Sequence, residues 1–252
     1  MTSLESSAVI FGCVFGGAVL GVGLKRLLPS HHLSNESKEV VRLGVGLVGT
    51  MTALLLGLLV ASAKATYDTN ATQVLQISAK LEFLDRLLTG FGPDAAPVRG
   101  ALRESTEKMI AQMWPEGSAP VDLNPVKAGG AQVMILIQKL EPQNELQKYV
   151  KSEAISIATD IAQLRALLHA QGSVRISLTF LVCITAWLTV TFASYGLFAP
   201  ANLTVVATLL LCALSVACAL LLVLELSRPF DGLIQIQKDS MLLVLQQMAP
   251  AK

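Results

Sequence analysis

The sequence has 252 residues, of which 53% are hydrophobic and only 15% are charged. Soluble globular domains carry about a quarter charged residues, so this composition argues against an ordinary soluble protein and favours one embedded in lipid. With 19 basic and 18 acidic residues the net charge is +1, which excludes the strong positive charge typical of nucleic-acid-binding proteins.

The N-terminal quarter of the chain contains two uncharged stretches long enough to cross a bilayer. The first is uncharged over residues 8–24 and is predicted to extend as a helix to about residue 28. The second is predicted over about residues 43–63, and the two helices form a first transmembrane pair within residues 1–63. The first stretch lacks a basic leader and a small-residue cleavage site, so we expect it to be retained as a helix. His31 and His32, between the two stretches, lack further ligands and predict no metal site.

Small residues at four-residue intervals mark both predicted helices. Membrane helices associate through close approach of their backbones, which such residues allow. The first helix contains two pairs, Gly12 with Gly16 and Gly17 with Gly21. The second contains an unbroken line of four, which are Gly49, Ala53, Gly57 and Ala61. This small-residue line predicts a packed face, whose partner is either another helix of the same chain or a second subunit.

Residues 64–175 carry charges of both signs and are predicted to form a water-exposed, amphipathic helical segment. This segment begins with an apolar seam, whose residues recur at spacings of three and four: Val74, Ile77, Leu81, Leu84 and Leu88. The second membrane helix can continue directly into the helix that carries this seam. Asp94 is predicted to cap a further helix that starts near Pro97. A short helix over residues 131–140 follows, and then a long one over about residues 143–170, with an apolar stripe from Leu146 to Leu168.

Two more uncharged stretches, about residues 176–199 and 203–224, predict a second transmembrane pair within residues 176–226. The turn between them is so short that the two helices must be antiparallel neighbours. Residues 227–252 are predicted to form one or two short surface helices, with Leu233 and Leu243 among their apolar residues. The four cysteines, which we expect to pack as small hydrophobes, are Cys13, Cys183, Cys212 and Cys218.

The sequence shows no pattern typical of an enzyme. We find no Gly-rich phosphate loop after a strand, no residues with metal-ligand spacing, and no nucleophile near a base and an orienting acid. We therefore predict no catalytic residues, no metal and no cofactor.

The residues after the fourth stretch, Glu225 to Ile234, and the glycine-rich second stretch resemble the bestrophin-like domain of bacterial membrane proteins. That family also places two helices before a helical middle segment and two after it. The resemblance implies an all-α integral membrane protein with four transmembrane helices in two pairs that flank a helical extramembrane segment. Bestrophins themselves are pentameric anion channels whose second helix lines the pore. The resemblance therefore implies a homo-oligomer in the bilayer, with a path for small anions along the small-residue line.

Five residues directly after the last predicted membrane helix form what we call the post-membrane motif: Arg228, Pro229, Phe230, Asp231 and Gly232. Turn chemistry accounts for them, with Pro229 and Gly232 shaping the turn, Phe230 anchoring it and Arg228 pairing with Asp231. Bestrophins follow their Pro-Phe-Gly with a run of acidic residues that binds calcium. Because no acidic cluster follows Phe230 in this chain, we predict no calcium site.

The charge distribution and the resemblance imply opposite topologies. The loop between Lys25 and Arg42 carries four basic residues against two acidic ones, and the positive-inside rule therefore favours an outward-facing middle segment. The resemblance implies a cytoplasmic middle segment, in a multi-pass protein of the bacterial inner membrane. A second functional hypothesis is a non-conducting scaffold or sensor, whose apolar seam between Val74 and Leu88 binds partners.

Overall fold

The computed structural model describes residues 2–25, 27, 35–115, 121–124, 129–172, 178–200 and 202–248. Its helices, in chain order, are α1 (Ser3–Leu24), α2 (Asn35–Phe91), α3 (Ala96–Met113), α4 (Gly130–Lys139), α5 (Glu145–Gly172), α6 (Leu178–Phe198), α7 (Leu203–Leu226) and α8 (Asp239–Gln247). A short 3-10 turn, Pro93–Ala95, precedes α3. All regular structure in the described ranges is helical, which confirms the predicted all-α fold.

Among the described residues, four helices are long and apolar enough to cross a membrane: α1, the first part of α2, α6 and α7. α1 begins five residues earlier than predicted, because Thr2 and Glu5 form a capping box. The Thr2 hydroxyl oxygen accepts a hydrogen bond from the Glu5 amide at 3.2 Å, and the Glu5 carboxylate accepts one from the Thr2 amide at 2.9 Å. α1 ends at Leu24, before the predicted residue 28, and α7 extends two residues beyond the predicted residue 224. Residues 176 and 177 of the predicted third helix lie outside the described ranges.

The chain divides into two compact units. Unit 1 comprises Met1–Thr66 and Ile176–Ser227, and unit 2 comprises Tyr67–Arg175 and Arg228–Lys252. The first part of α2 therefore belongs to unit 1 and the rest to unit 2. In unit 1, α1 lies against both α6 and α7, and these helices enclose a buried cluster that consists of Ile10, Val14, Ala18, Ile184, Leu188, Phe192, Ala213 and Leu220.

Two hydrogen bonds fix α1 against the second membrane pair. The Ser7 hydroxyl donates to the carbonyl oxygen of Ala217 at 3.0 Å, which satisfies a polar group in the apolar interior. The Lys25 ammonium group donates to the carbonyl oxygen of Ala199 at 2.8 Å, just after the end of α6. These contacts, at opposite ends of α1, show that α1 runs parallel to α6 and antiparallel to α7.

Glycines bring the backbones of α1 and α6 into direct contact. A Cβ atom built on Gly21 would overlap the carbonyl oxygen of Ala193, and one on Gly196 would overlap that of Ala18. A Cβ atom on Gly17 would lie 2.8 Å from Cγ2 of Thr189. Cβ atoms on Gly12 and Gly16 would meet nothing within 4 Å. Of the two predicted glycine pairs of α1, only Gly17 and Gly21 therefore form the packed face within the chain.

The four cysteines differ from their predicted role. All four are free and exposed in the single chain, so they are not packed inside unit 1: Cys13, Cys183, Cys212 and Cys218. A thiol is apolar enough to face lipid or a neighbouring subunit, which is why an apolar sequence context alone did not place it in the core.

Unit 2 has its own hydrophobic core. The predicted seam of α2 is buried there, together with apolar residues of α3, α4, α5 and α8, and the predicted helical continuation of the second membrane helix is confirmed. α2 ends where Gly92 takes a φ of +115°, and the Gln147 side-chain amide donates to the carbonyl oxygen of Phe91 at 2.8 Å.

Two predicted details of unit 2 are wrong. Asp94 does not cap α3, because it lies in the middle of the 3-10 turn and the residue at the N-cap is Ala95. Leu146 is 67% exposed, since α2 ends level with the first turn of α5. In the C-terminal segment, for which one or two short helices are predicted, α8 buries Met241 and Val244 and exposes Leu243, and Leu233 is exposed in the loop before it.

A bidentate ion pair joins α2 to α3. Nε and Nη2 of Arg99 donate to the two carboxylate oxygens of Asp85 at 2.8 and 3.0 Å. The Asp85 side chain is 12% exposed and that of Arg99 is 31% exposed, so the pair is shielded more than an ordinary surface salt bridge. Its hydrogen bond with Asp85 raises the pKa of Arg99 above the ordinary value.

We expect replacement of Asp85 by alanine to lower the free energy of unfolding by about 1 to 2 kcal/mol, because the half-buried guanidinium of Arg99 would lose its only bidentate acceptor. Thermal melting of the purified protein in detergent would measure the change. Lys108→Ala, which breaks the exposed pair of Lys108 with Glu104, is the matched control and should leave the melting temperature unchanged. Equal melting temperatures for D85A and the wild type would contradict this account.

Candidate functional site

The membrane portion of α2, residues 43–63, has one covered side. Thr52 is buried, and Leu56 and Leu59 pack against the unit 1 cluster that contains Ile184 and Leu188 of α6. The Thr52 hydroxyl donates to the carbonyl oxygen of Val48 at 2.7 Å, so it is satisfied within its own helix. This side of α2 is therefore the seam through which the helix packs within the chain.

The small-residue line lies mostly outside that seam. A Cβ atom on Gly49 would lie 3.9 Å from the hydroxyl oxygen of Tyr195, so the line touches α6 at its first member. Ala53, Gly57 and Ala61 are exposed, and a Cβ atom on Gly57 would meet nothing within 4 Å. The close-packing face that the sequence pattern predicts is therefore largely unused within a single chain.

α2 is also the least covered of the four membrane helices. Only 6% of the residues in its most apolar stretch are buried, against 33% for α1 and 28% for α6. Large apolar side chains accompany the small ones on its open side, and they are Leu43, Leu47, Leu54 and Leu58. Basic residues flank this portion at both ends, with Arg42 before it and Lys64 after it, and both are exposed.

The post-membrane motif folds into a tight loop in unit 2. The Asp231 amide donates to the carbonyl oxygen of Arg228 at 3.1 Å, and Gly232 has a φ of +111°, which favours glycine. The Ile236 amide donates back to the carbonyl oxygen of Pro229 at 2.8 Å and closes the loop. Phe230 is buried, as its predicted anchoring role requires.

Two aromatic residues that the sequence analysis did not single out hold this loop. The Trp114 ring lies edge-on to Phe230 with a centroid separation of 5.7 Å, and its indole N–H donates to the carbonyl oxygen of Ile236 at 2.8 Å. The Tyr67 hydroxyl donates to the carbonyl oxygen of Gln235 at 3.2 Å. The available signal was weak: Trp114 is one of only two tryptophans and stands at the end of an apolar helix face.

We expect Trp114→Phe to lower the free energy of unfolding by about 1 kcal/mol, since the ring contact would survive and one hydrogen bond would be lost. Trp114→Ala should cost about 3 kcal/mol because it also leaves a cavity beside Phe230. Circular dichroism melting curves would measure both. Trp187→Phe, at a half-exposed position of α6, serves as control and should have no effect. A stable W114A protein would show that the loop does not depend on this ring.

The sequence matches the family model of the Bestrophin-like domain over residues 12–241. The chain belongs to the bestrophin-like family. The predicted family resemblance is thus confirmed, and it covers the second half of α1, the other three membrane helices and nearly all of unit 2. The sequence matches none of the curated proteins with which it was compared.

Solved structures show the same bestrophin fold. A bacterial bestrophin homologue from Klebsiella pneumoniae with a point mutation gives a TM-score of 0.67 at 12% identity, over 93% of this chain and 98% of that one. A further crystal structure of the Klebsiella homologue gives 0.65 at 11% identity, over 92% and 96%. A mutant described only as a membrane protein gives 0.69 at 12% identity, over 93% and 97%. At these identities the likeness concerns the fold alone.

No acidic cluster marks the post-membrane loop of this bestrophin-like chain. Within the described residues, no group of three or more His, Cys, Asp or Glu side chains could hold a metal ion. His31 and His32 lie outside the described ranges. At Phe230 the structure shows the ring contact with Trp114, and at Gly232 the carbonyl oxygen accepts a hydrogen bond from the Gln235 side-chain amide at 3.0 Å.

Proposed function

We propose that this bestrophin-like protein assembles with copies of itself in the bacterial inner membrane and conducts small anions along the small-residue line of α2. The observation that carries the proposal is that α2 is the least covered membrane helix, and that its most regular packing pattern faces away from the chain. A helix that packs through Thr52, Leu56 and Leu59 leaves Ala53, Gly57 and Ala61 available for a pathway or a second subunit.

Contact with lipid alone does not explain why small residues recur along one side of α2. Glycine inside a helix costs about 1 kcal/mol relative to alanine, and lipid tails gain little from a small side chain. Small residues are useful where another backbone must approach closely or where room for water and ions is needed. Both requirements arise when copies of α2 surround a common axis.

The charges at the ends of α2 favour anions. The stretch between Leu43 and Ala63 contains no ionisable residue, whereas Arg42 and Lys64 bracket it. Repetition of the chain around an axis would turn these residues into two rings of positive charge at the mouths of a neutral path. Rings of Arg or Lys are the usual device by which pores attract anions.

The scaffold hypothesis loses its main support. The seam proposed to bind partners is buried in the core of unit 2, so it is occupied by α3, α4, α5 and α8 of the same chain. Five of its residues are no more than 3% exposed, and these are Val74, Ile77, Leu81, Leu84 and Leu88.

For topology we propose a cytoplasmic unit 2, as the family resemblance implies and against the charge count of the Lys25 to Arg42 loop. A variant without the four native cysteines would carry a single new one at Gln163, an exposed position of α5. Membrane-impermeant maleimide should then leave residue 163 unlabelled in intact cells and should label it in permeabilised cells. Labelling in intact cells would favour the outward orientation.

Planar bilayer recordings of the reconstituted protein test the conduction proposal. Under a KCl gradient, the current should reverse near the equilibrium potential of chloride, and native mass spectrometry of the same sample should show a closed homo-oligomer. Liposomes prepared without protein provide the baseline. Reversal near the potassium potential would rule out anion selectivity, and the absence of current from an intact oligomer would rule out a channel open under these conditions.

A further inference from the structure

Unit 2 contains a cluster of buried side-chain oxygens without hydrogen-bond donors. Four buried side-chain atoms in the described residues lack a partner, and three of them are amide oxygens in unit 2: Oδ1 of Asn70, Oε1 of Gln73 and Oε1 of Gln171. We call these three side chains the amide cluster. Buried acceptors without partners are uncommon in folded proteins, and each is costly unless a water or an ion satisfies it.

The register of α2 against α5 places the three side chains at nearly the same level of the two helices. These helices are antiparallel, because the Lys80 ammonium group meets the Asp160 carboxylate at 2.7 Å while Gln147 meets the carbonyl oxygen of Phe91 further along. Continuing this register by about ten residues past the ion pair places Gln171 level with Asn70. Gln73 then lies about one turn away along α2.

The side chains also share the faces that meet. Gln73 is seven residues before Lys80, which puts it within about 20° of the same line on α2. Gln171 is eleven residues after Asp160, again within about 20° on α5. Since Lys80 and Asp160 bond across the groove between the helices, Gln73 and Gln171 face that groove. Asn70 lies next to that groove, on the same line of α2 as the fully buried Ile77.

Both members of the amide cluster on α2 are buried. Asn70 is 3% exposed and Gln73 is 8% exposed, although both carry amides that water would otherwise solvate. They lie only six and nine residues after Lys64, so the cluster is about 9 to 14 Å along α2 from the end of its membrane portion. Of the basic residues of α5, His169 is exposed, and Nη1 of Arg165 lies 3.1 Å from a Cβ built on Gly130.

We infer that the amide cluster binds a small monovalent cation between α2 and α5. Three uncharged carbonyl oxygens match the ligands that hard cations accept from Asn and Gln side chains. A divalent ion would require carboxylates, and the described residues offer no acidic cluster. The bound cation satisfies the three oxygens at once and ties α2 to α5 just past the end of its membrane portion. This inference does not depend on whether the protein conducts anions.

Thermal melting in matched salts tests the inference without any current measurement. The purified protein is melted in KCl, in NaCl and in N-methylglucamine chloride at equal ionic strength, so that chloride stays constant. We expect the melting temperature in KCl or NaCl to exceed that in N-methylglucamine chloride by about 3 °C at cation concentrations near ten times Kd. Equal melting temperatures in all three salts would overturn the inference.

Variants of the amide cluster test whether the salt dependence of the melting temperature arises at this site. Asn70→Leu and Gln73→Leu should each abolish the difference between salts, whereas Gln163→Leu, at an exposed glutamine of α5, should preserve it. A salt dependence that survives in both leucine variants would overturn the assignment. If the leucine variants fail to fold, crystals of the wild type grown with thallium ions provide the second measurement. Anomalous density among the three amides would support the site, and ordered water alone would overturn it.

Discussion

Replacement of Gly21 by leucine is expected to prevent α1 from packing on α6 and to abolish the folded protein. Even the first side-chain carbon would overlap the carbonyl oxygen of Ala193, and backbone cannot move aside as a flexible side chain can. Overpacking of a close-packed contact typically costs about 1 to 3 kcal/mol, and this site belongs at or above the upper end. Gly196→Leu should have the same effect, because a Cβ atom on Gly196 would overlap the carbonyl oxygen of Ala18 on the other side of the same helix crossing.

Size-exclusion chromatography in detergent and thermal melting would measure the effect of Gly21→Leu. The matched control is Gly12→Leu, which introduces the same side chain into the same helix at a position with nothing within 4 Å. G12L should elute and melt as the wild type does if that surface faces lipid. A G21L protein that is as stable as G12L would contradict the close crossing of α1 and α6.

Replacement of Gly57 by tryptophan is expected to reduce anion conductance at least tenfold while the protein remains folded. The single chain has open space at this position, so a large ring causes no clash with α6. If copies of α2 surround a narrow path, the same ring on every copy fills it. The expected result is thus a loss of current with little change in melting temperature, a combination that a general folding defect would not produce.

Bilayer recordings and melting curves on the same preparation would establish this combination. Met51→Trp is the matched control, because Met51 is exposed on α2 but lies about 120° around the helix from Gly57. M51W should conduct as the wild type does. Unchanged current through G57W would remove Gly57 from the proposed path.

The membrane helices could be predicted from sequence because burial in lipid requires long uncharged stretches, and the chain contains four. The continuous course of α2 followed from its apolar seam, which is the core face of unit 2 from Val74 to Leu88. The first residues of the helices were harder to predict, since they depend on single capping contacts. Thr2 and Glu5 extend α1, whereas Asp94 lies one residue too early to cap α3.

A periodic stripe shows which residues share a face but not what covers it. Leu146 continues the stripe of α5 and is nevertheless exposed, because α2 has already ended beside it. The same limit applies to the candidate site. The spacing of Gly49, Ala53, Gly57 and Ala61 was visible in the sequence, yet only the fold shows that three of them are exposed.

Contacts between distant segments left almost no trace in the sequence. Trp114 holds the post-membrane loop through a carbonyl group 122 residues away, and Tyr67 does so across 168 residues. The members of the amide cluster likewise lie on two helices that are paired through Lys80 and Asp160. Such pairings depend on how whole helices pack, which local spacing does not encode.

The accessibility of a cysteine at Gly57 tests the central claim most directly. In a variant without the four native cysteines, Gly57→Cys would be reconstituted and exposed to a charged, water-soluble methanethiosulfonate reagent during recording. If the small-residue line borders an aqueous anion path, the reagent should reduce the current rapidly, while Met51→Cys should not respond. Current through the Gly57→Cys protein that stays constant under reagent would place the line in lipid or in a dry subunit contact and contradict the account.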